Sequence, residues 1–518
     1  MRFIILLSTV LYVSCQQQYD IVIKGGTIID GSGNIGMGTD IGIIGDRIIK
    51  VGAIDGKAKK IIDATGYVVS PGFIDVHSHA SGGLTEADRS DAKSLLTQGL
   101  TTVFINPDGG GSIDLNKQDS ALLHDGLGIN VAQMVPHGSI RREVMGMDNR
   151  LATDEELEKM KAIVTREMNK GAFGLSSGPF YTPGSYSDTR ELVEVTKVIA
   201  PFNGVYTSHI RDESNYTIGL EAAVDEVITV AREAEVTGIV THIKALGPPV
   251  WGMSQKIIAN IEKARAEGVN VYADQYPYNA SATGLGAALL PRWSQAGGHE
   301  ALLQRLNHPD TLSMITAEME ANLLRRGGPD RIQFRYFEPD PSVQGKTLEE
   351  VSSSWNLDPI SAAIKMIRPG KGIGIVSFNM SDEDVHNFMQ QTWTMTCSDG
   401  SYPRWGEGVP HPRSIGSFPR KIRKYVLEEN VISLPHAIYS MTGLSAEVFG
   451  LKDRGIIREG AIADIVIFER EKMNDKATFT DPFQYSEGII YSILNGEVAI
   501  DNEEFKDIRA GKIIKKNN

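Results

Sequence analysis

The chain has 518 residues, 41% of them hydrophobic and 23% charged, the balance of a soluble globular protein with a large core. A formal net charge of −13 argues against nucleic acid or an anionic membrane surface as a partner, and leaves the local charge of any site open. With only Cys15 and Cys397, a disulfide-rich scaffold and Cys₄ or Cys₂His₂ metal sites are excluded.

In chain order, Met1-Arg2, the apolar run 3–13 and Ser14-Cys15 form the basic region, apolar region and cleavage zone of an export signal. The run is short for a bilayer, so no transmembrane span is expected. The expectation is a signal peptide at 1–15 and an exported protein, whether periplasmic, cell-surface or secreted. Tyr12-Val13-Ser14-Cys15 resembles a lipoprotein cleavage site, except that leucine is usual where Tyr12 stands; a lipid anchor at Cys15 and plain cleavage both stay open. From residue 19, short β-branched runs at 20–24, 27–29, 41–44 and 48–51 are broken by Gly and Asp, the grammar of hairpins. The pattern returns at 464–468, 489–494 and 513–514, which predicts one small β-domain built from 19–69 and 453–518.

Between them, 70–452 alternates strands with helices. Strands are expected at 73–76, 101–105, 131–135, 172–175, 205–207, 239–241, 269–273 and 393–396. Thr153 with Glu156 is a capping box, Asp188 with Glu191 is a similar start, and 219–235 carries apolar residues at helical spacing. Eight strands with intervening helices predict an α/β fold, a (β/α)₈ TIM-type barrel. The stretch 293–360 exceeds one strand–helix unit and is expected to be a helical insertion near the barrel mouth.

Such barrels gather their chemistry just past the C-terminal strand ends. Those positions hold His77-Ser78-His79 after the first strand, Asn106-Pro107-Asp108 after the second and His137 after the third. His209 follows the fifth, His242 and Lys244 the sixth, and Asp399 the eighth. His77 and His79 lie two apart and share a face, as metal ligands do, whereas a lone histidine is usually structural. Even with His137 set aside, four histidines and two carboxylates at one rim point to a metal. Imidazole and carboxylate without thiolate favour one or two Zn²⁺ ions, with Mn²⁺ or Co²⁺ as alternatives. By itself, Asp399 before Gly400 reads as a turn residue. Opposite a metal cluster it reads as the general base, passing a water proton to the leaving amine. Cys397 shares its face but has no triad around it, and is expected to pack in the core.

Pro71-Gly-Phe-Ile-Asp-Val-His-Ser-His79 resembles the first-strand signature of the amidohydrolase superfamily. Gly171-Ala-Phe-Gly-Leu-Ser-Ser177, Tyr181-Thr-Pro-Gly184, Thr207-Ser-His-Ile-Arg-Asp-Glu213, Thr241-His-Ile-Lys244, Ala273-Asp-Gln-Tyr-Pro-Tyr278, Ser398-Asp-Gly400 and His411-Pro-Arg413 narrow it. In number and order these motifs resemble the D-aminoacylase (N-acyl-D-amino-acid deacylase) family along nearly the whole chain after residue 19. The resemblance implies a β-sandwich beside the barrel, and a zinc held tightly by His209 and His242. It also implies a second, often weaker site framed by His77 and His79, Asp399 as base and acid, and Tyr181, Lys244 and Arg413 gripping the substrate carboxylate. Where the family places a bridging cysteine, this chain has Asp108, aligned through Gly99-Leu-Thr-Thr102; aspartate can also bridge two ions, so Asp108 is the expected bridging ligand. A carbamylated lysine is not expected: the fourth strand runs into Ser176-Ser177, and Lys170 precedes that strand.

The expected partner is thus a small N-acylated amino acid, of D configuration on the resemblance alone, hydrolysed to a carboxylate and a free amino acid. The alternatives are a dipeptidase or cyclic-amide hydrolase on the same scaffold, or a non-catalytic binding protein.

Overall fold

The computed structural model describes residues 18–34 and 36–516. The export-signal and lipid-anchor readings fall outside the described residues.

The barrel strands are Phe73–Asp75, Leu100–Ile105, a third in two pieces (Asn130–Gln133 and Val135–Pro136), Gly174–Ser177, Val205–Ser208, Thr237–Val240, Val271–Gln275 and Thr394–Thr396. Neighbours pair in parallel. Every residue of Leu100–Ile105 is buried, as expected of a strand covered on both faces. Closure between the eighth and first strands runs through the site: Asp399 N donates to His77 O and His79 N to Gly400 O, both at 2.9 Å. The helices dock by one stripe. Leu220–Glu233 buries Leu220, Ala223, Val224, Val227, Val230 and Ala231, and each buried leucine or valine contributes about 1.5–3 kcal/mol. Thr153 and Glu156 close a capping box at the start of Asp154–Met168.

The small domain stacks two sheets. One orders Arg47–Val51, Ile41–Ile44, Gln18–Lys24 and Lys57–Asp63; the other has seven strands, with Ile465–Phe468 beside Val68–Pro71 at its centre, one from each end of the chain. Their facing residues form a separate core that includes Ile23, Ile43, Val69 and Ile465. A buried polar network joins this domain to the barrel: Asp464 accepts from Asn130 Nδ2 (3.1 Å), Asn495 N (2.7 Å) and Arg454.

Two expectations are corrected. The strand Ile513–Ile514 does not join the small domain; it pairs in parallel with Asn130–Gln133 at the barrel base, where Val131 N donates to Lys512 O and Lys516 N to Gly171 O, both at 2.9 Å. Two β-branched residues fit either sheet, and propensity does not name a partner. The insertion is wider than 293–360 and not purely helical. Its helices pack on a three-stranded antiparallel sheet of Ser281–Gly284, Ile373–Ser377 and Ile332–Phe337, around a core of its own with Leu285, Leu302, Phe334 and Ile375. These strands come from three distant segments, so no hairpin pattern announces them.

Candidate metal centre

His77, His79, Asp108 and Asp399 form one group whose ligand atoms lie within 4.8 Å of one another, and Asp108, His209 and His242 form a second. Asp108 belongs to both. Its Oδ1 lies 3.2 Å from His77 Nε2, 3.6 Å from His209 Nδ1 and 3.4 Å from His242 Nε2, and its Oδ2 lies 3.3 Å from His79 Nε2. Asp399 Oδ1 is 3.2 Å from His79 Nε2.

The backbone is bent to aim these groups. Asp108 (φ 56°), His242 (φ 37°) and Asp399 (φ 48°) all lie in the left-handed region, uncommon for non-glycine residues though less so for Asp and His. The first of these loops is also closely packed: a Cβ on Gly178, just past the fourth strand, would sit 2.2 Å from the Asp108 carbonyl oxygen, so glycine is required there.

The donor set fits a cation. His77 Nε2, Asp108 Oδ1 and both ring nitrogens of His209 are buried without a hydrogen-bond partner, which is costly unless something else satisfies them. The fields agree. Burial pushes the Asp108 carboxyl up, but the imidazoles of His77 and His209 hold it well below the usual carboxylate range. Burial and Lys244 push His242 down, yet Asp399, Asp108 and Glu213 raise it to about 10. Partial burial likewise lowers His79, and Asp108 and Asp399 raise it to about 9. The carboxylates thus draw positive charge onto the imidazoles, and a metal competes for the same lone pairs.

Around this centre, burial raises Asp399, and Arg413, with Nη1 2.8 Å away, brings it well below its ordinary value. Asp75, pushed up to about 6 by burial, accepts from Ser398 N (2.9 Å) and His77 N (3.2 Å), tying the first and eighth strand ends together. Tyr181 packs its ring 4.6 Å from that of His209 and meets Thr283 Oγ1 through its hydroxyl (3.2 Å). All these groups except Asp75, His77 and Ser398 border one cavity of about 720 Å³, roofed in part by the insertion through Thr283, Arg326 and Arg335.

A family model described as the amidohydrolase family matches residues 392–500. The chain is 31% identical to a D-aminoacylase of Alcaligenes xylosoxydans xylosoxydans, over 97% of this chain and 98% of that protein. The chain belongs to the D-aminoacylase family of amidohydrolases. It is also 32% identical to an N-acyl-D-glutamate deacylase of the same organism, over 97% of each. It superposes with a TM-score of 0.82, at 30% identity, on an N-acyl-D-glutamate deacylase from Bordetella bronchiseptica complexed with zinc and a phosphonate mimic of the tetrahedral intermediate. That match covers 96% of this chain and 100% of that one.

In this amidohydrolase His79, Asp108, Tyr181, His209, His242, Lys244, Asp399 and Arg413 all border the cavity, and His77 is buried just behind it. His137 stands apart: it begins the helix His137–Met145 and pairs with Glu191 at 2.9 Å, beside Arg141. Lys170 is likewise remote, bonded to Asp114 and Glu167. Cys397 is fully buried in the barrel core, and burial pushes its thiol well up, which leaves it inert. Sequence reasoning missed Glu213, which accepts from Lys244 and lies 3.1 Å from His242 Nδ1. The motif containing it was visible, but nothing in its spacing told a supporting carboxylate from a surface one.

Proposed function

We propose that this enzyme hydrolyses N-acyl-D-amino acids to a carboxylate and a free D-amino acid. The observation that carries the reading is the convergence on Asp108 of imidazoles from four positions, beside the Arg413–Asp399 pair, in one cavity at the barrel rim. His209, His242 and Asp108 would hold the first cation, zinc by ligand type and by the inhibitor-bound relative; His77, His79, Asp108 and Asp399 surround a second position. When bound, such an ion supplies Lewis-acid activation of water and of the acyl oxygen.

The chain's own residues supply the rest. Nε2 of His242 can ligate only if Nδ1 carries the proton, and Glu213 stands 3.1 Å away to accept it. In that tautomer the ammonium of Lys244 has no acceptor on His242; it keeps Glu213, and its remaining N–H groups are available to the substrate carboxylate. Arg413 is ion-paired with Asp399 through Nη1 and has N–H groups for the same substrate carboxylate, while Tyr181 remains a neutral phenol that can donate to it. Gripping the far end of the substrate fixes the scissile amide over the metal position. Asp399, held ionised, takes the proton released as water adds to the acyl carbon. It delivers that proton to the nitrogen as the C–N bond breaks.

The test is a hydrolysis screen of N-acetyl-D- and N-acetyl-L-amino acids with added zinc, alongside D-dipeptides and dihydropyrimidines. Turnover confined to N-acetyl-D-amino acids is expected. Hydrolysis of D-dipeptides or cyclic amides alone would replace this reading with one of its two alternatives, and metal binding without any turnover would favour a binding protein. The same reading includes export through the leader at 1–15, with Cys15 as the residue for a lipid anchor. Cell fractionation and a globomycin-sensitive size shift would check it.

A further inference from the structure

A second cavity, of about 460 Å³, lies at the seam between the barrel and the insertion. The loops after the fourth and fifth strands form much of one side, and residues 290–293 with the end of the helix Pro309–Arg325 form the other. No residue borders both this cavity and the one at the metal centre. The two share a wall all the same, because chain neighbours border opposite sides of it. Phe180 and Arg326 border the first cavity, Pro179 and Arg325 the second. Within that wall the Phe180 ring packs 5.0 Å from that of His209 and 5.9 Å from that of Tyr216.

The proposed chemistry uses none of this space, yet its lining has the make-up of a ligand site, apolar surface with a few convergent polar groups. Leu290, Pro291, Tyr186 and Trp293 supply the apolar part. Two bonds set the rings in place: the Tyr186 hydroxyl donates to Arg292 O, and Trp293 Nε1 donates to Glu318 Oε1, both at 2.8 Å.

The charge at this wall is unbalanced. Arg211 is answered by Glu226 at 2.9 Å, and Glu318, the one carboxylate among the described bordering residues, is engaged by Trp293. Arg292 and Arg325 form no ion pair among the described residues. Arg292 donates through Nη1 to the carbonyls of Ala287 (2.9 Å) and Leu290 (3.3 Å). Arg325 donates Nε to Asn215 Oδ1 (3.0 Å) and Nη1 to Asn322 Oδ1 (2.7 Å). These neutral partners aim two half-buried guanidiniums without neutralising them. Ser185 Oγ, at the same wall, is buried with no hydrogen-bond partner among the described residues. Unanswered cations and an orphaned hydroxyl are costly to a fold and are relieved by an anion. A guanidinium fork matches a carboxylate, and preset aromatic rings cover an apolar body at little entropic cost.

We propose that this seam cavity is a second ligand site, which takes a small carboxylic acid with an aromatic or aliphatic body. Arg292 and Arg325 bind the carboxylate, and Tyr186 and Trp293 cover the body. The site stands whether or not the metal centre is a deacylase.

The test measures calorimetric binding of phenylacetate, its neutral isostere phenylacetamide and inorganic phosphate to the zinc-loaded enzyme. Wild type is compared with Arg325→Gln, with Ala321→Phe, which fills the cavity from its helix, and with Arg413→Ala at the metal centre. Crystals grown with para-bromophenylacetate locate the acid through the anomalous signal of bromine. Wild type should bind phenylacetate with a Kd below about 1 mM and phenylacetamide at least about tenfold more weakly. Arg325→Gln and Ala321→Phe should each weaken phenylacetate by at least about tenfold, while Arg413→Ala keeps it within about twofold. Bromine should lie in the seam cavity. Bromine at the metal centre alone, or in the seam cavity without calorimetric binding, would overturn the proposal. So would phenylacetamide or phosphate binding as tightly as phenylacetate, or affinity untouched in both Arg325→Gln and Ala321→Phe.

Discussion

With Asp108 as the proposed bridging ligand, the centre should prefer harder ions, because a carboxylate is a harder ligand than the thiolate that the family resemblance places there. Asp108 makes four of the close contacts in the cluster, so its loss should strip metal before it harms the fold. Asp108→Ala is expected to fold but to retain less zinc by elemental analysis, and Asp108→Cys to recover zinc while taking up manganese less readily than wild type. Unchanged zinc content in Asp108→Ala would remove Asp108 from the ligand set. Asp399 makes a different prediction, since in the proposed reaction it carries a proton. Asp399→Asn should keep zinc at the His209–His242 position and lose at least about two orders of magnitude in kcat. A loss below about tenfold would exclude it as the proton carrier. The site's histidines were legible in the sequence because alternation puts His77 and His79 on one face and because barrel strand ends meet at one rim. Arg335, in the roof of the cavity, was not legible. An arginine on a strand has no spacing signal, and its aim depends on a bulge that only the pairing register reveals.

At the scale of elements, the helix that carries Arg413 shows how a sequence irregularity shapes the site. Arg413–Arg420 contains Pro419 and continues as the π-helix Lys421–Glu428. Pro419 has no N–H to give to the Ile415 carbonyl, which instead accepts from Ser486 Oγ at 2.8 Å, and the wider π-turn follows directly. That turn buries Lys421 against Thr396 Oγ1 (2.7 Å) and Ser440 Oγ (2.9 Å), with no carboxylate in ion-pair contact among the described residues, and burial pushes its amine down to about 7. The unfolded chain, with an ordinary value of 10.5, binds more protons than the folded one between about pH 7 and that value. Lys421 therefore destabilises the fold most below about pH 7, and the penalty is relieved as pH rises toward 10.5. Lys421→Met should be more stable than wild type at pH 6, by an amount on the order of a few kcal/mol, with the gap narrowing by about pH 9. Equal denaturation midpoints for the two proteins at every pH would show that Lys421 is not a buried liability. The barrel strands themselves were legible as runs of β-branched residues between helices. The sheet of the insertion was not, because its strands are four to six residues long and meet only after folding.

At the scale of the whole molecule, the candidate ligands come from the ends of the first, second, fifth, sixth and eighth strands, so one centre spans most of the barrel's circumference. The insertion and the interior of the small domain each have an apolar core of their own, a further core joins barrel residues such as Phe73 and Val103 to Val466 and Phe468 of the small domain, and the barrel is held at its base by the tail strand Ile513–Ile514. Metal binding at the rim, as proposed, and tail pairing at the base would act at opposite ends of the same barrel. A cation that binds only the folded barrel stabilises it by mass action, about 2.7 kcal/mol when free metal exceeds the dissociation constant by about 100-fold. In a chain of this size, with its large unfolding entropy, that corresponds to a rise of a few degrees in Tm. Zinc-loaded enzyme should therefore melt above chelator-treated enzyme, the gap should widen with free zinc, and Asp108→Ala should shrink it. Because thermal shift needs no turnover, the result separates metal binding from catalysis. Coincident melting curves for chelated and zinc-loaded wild type would mean that the cluster does not hold a stabilising ion, whatever zinc does to activity.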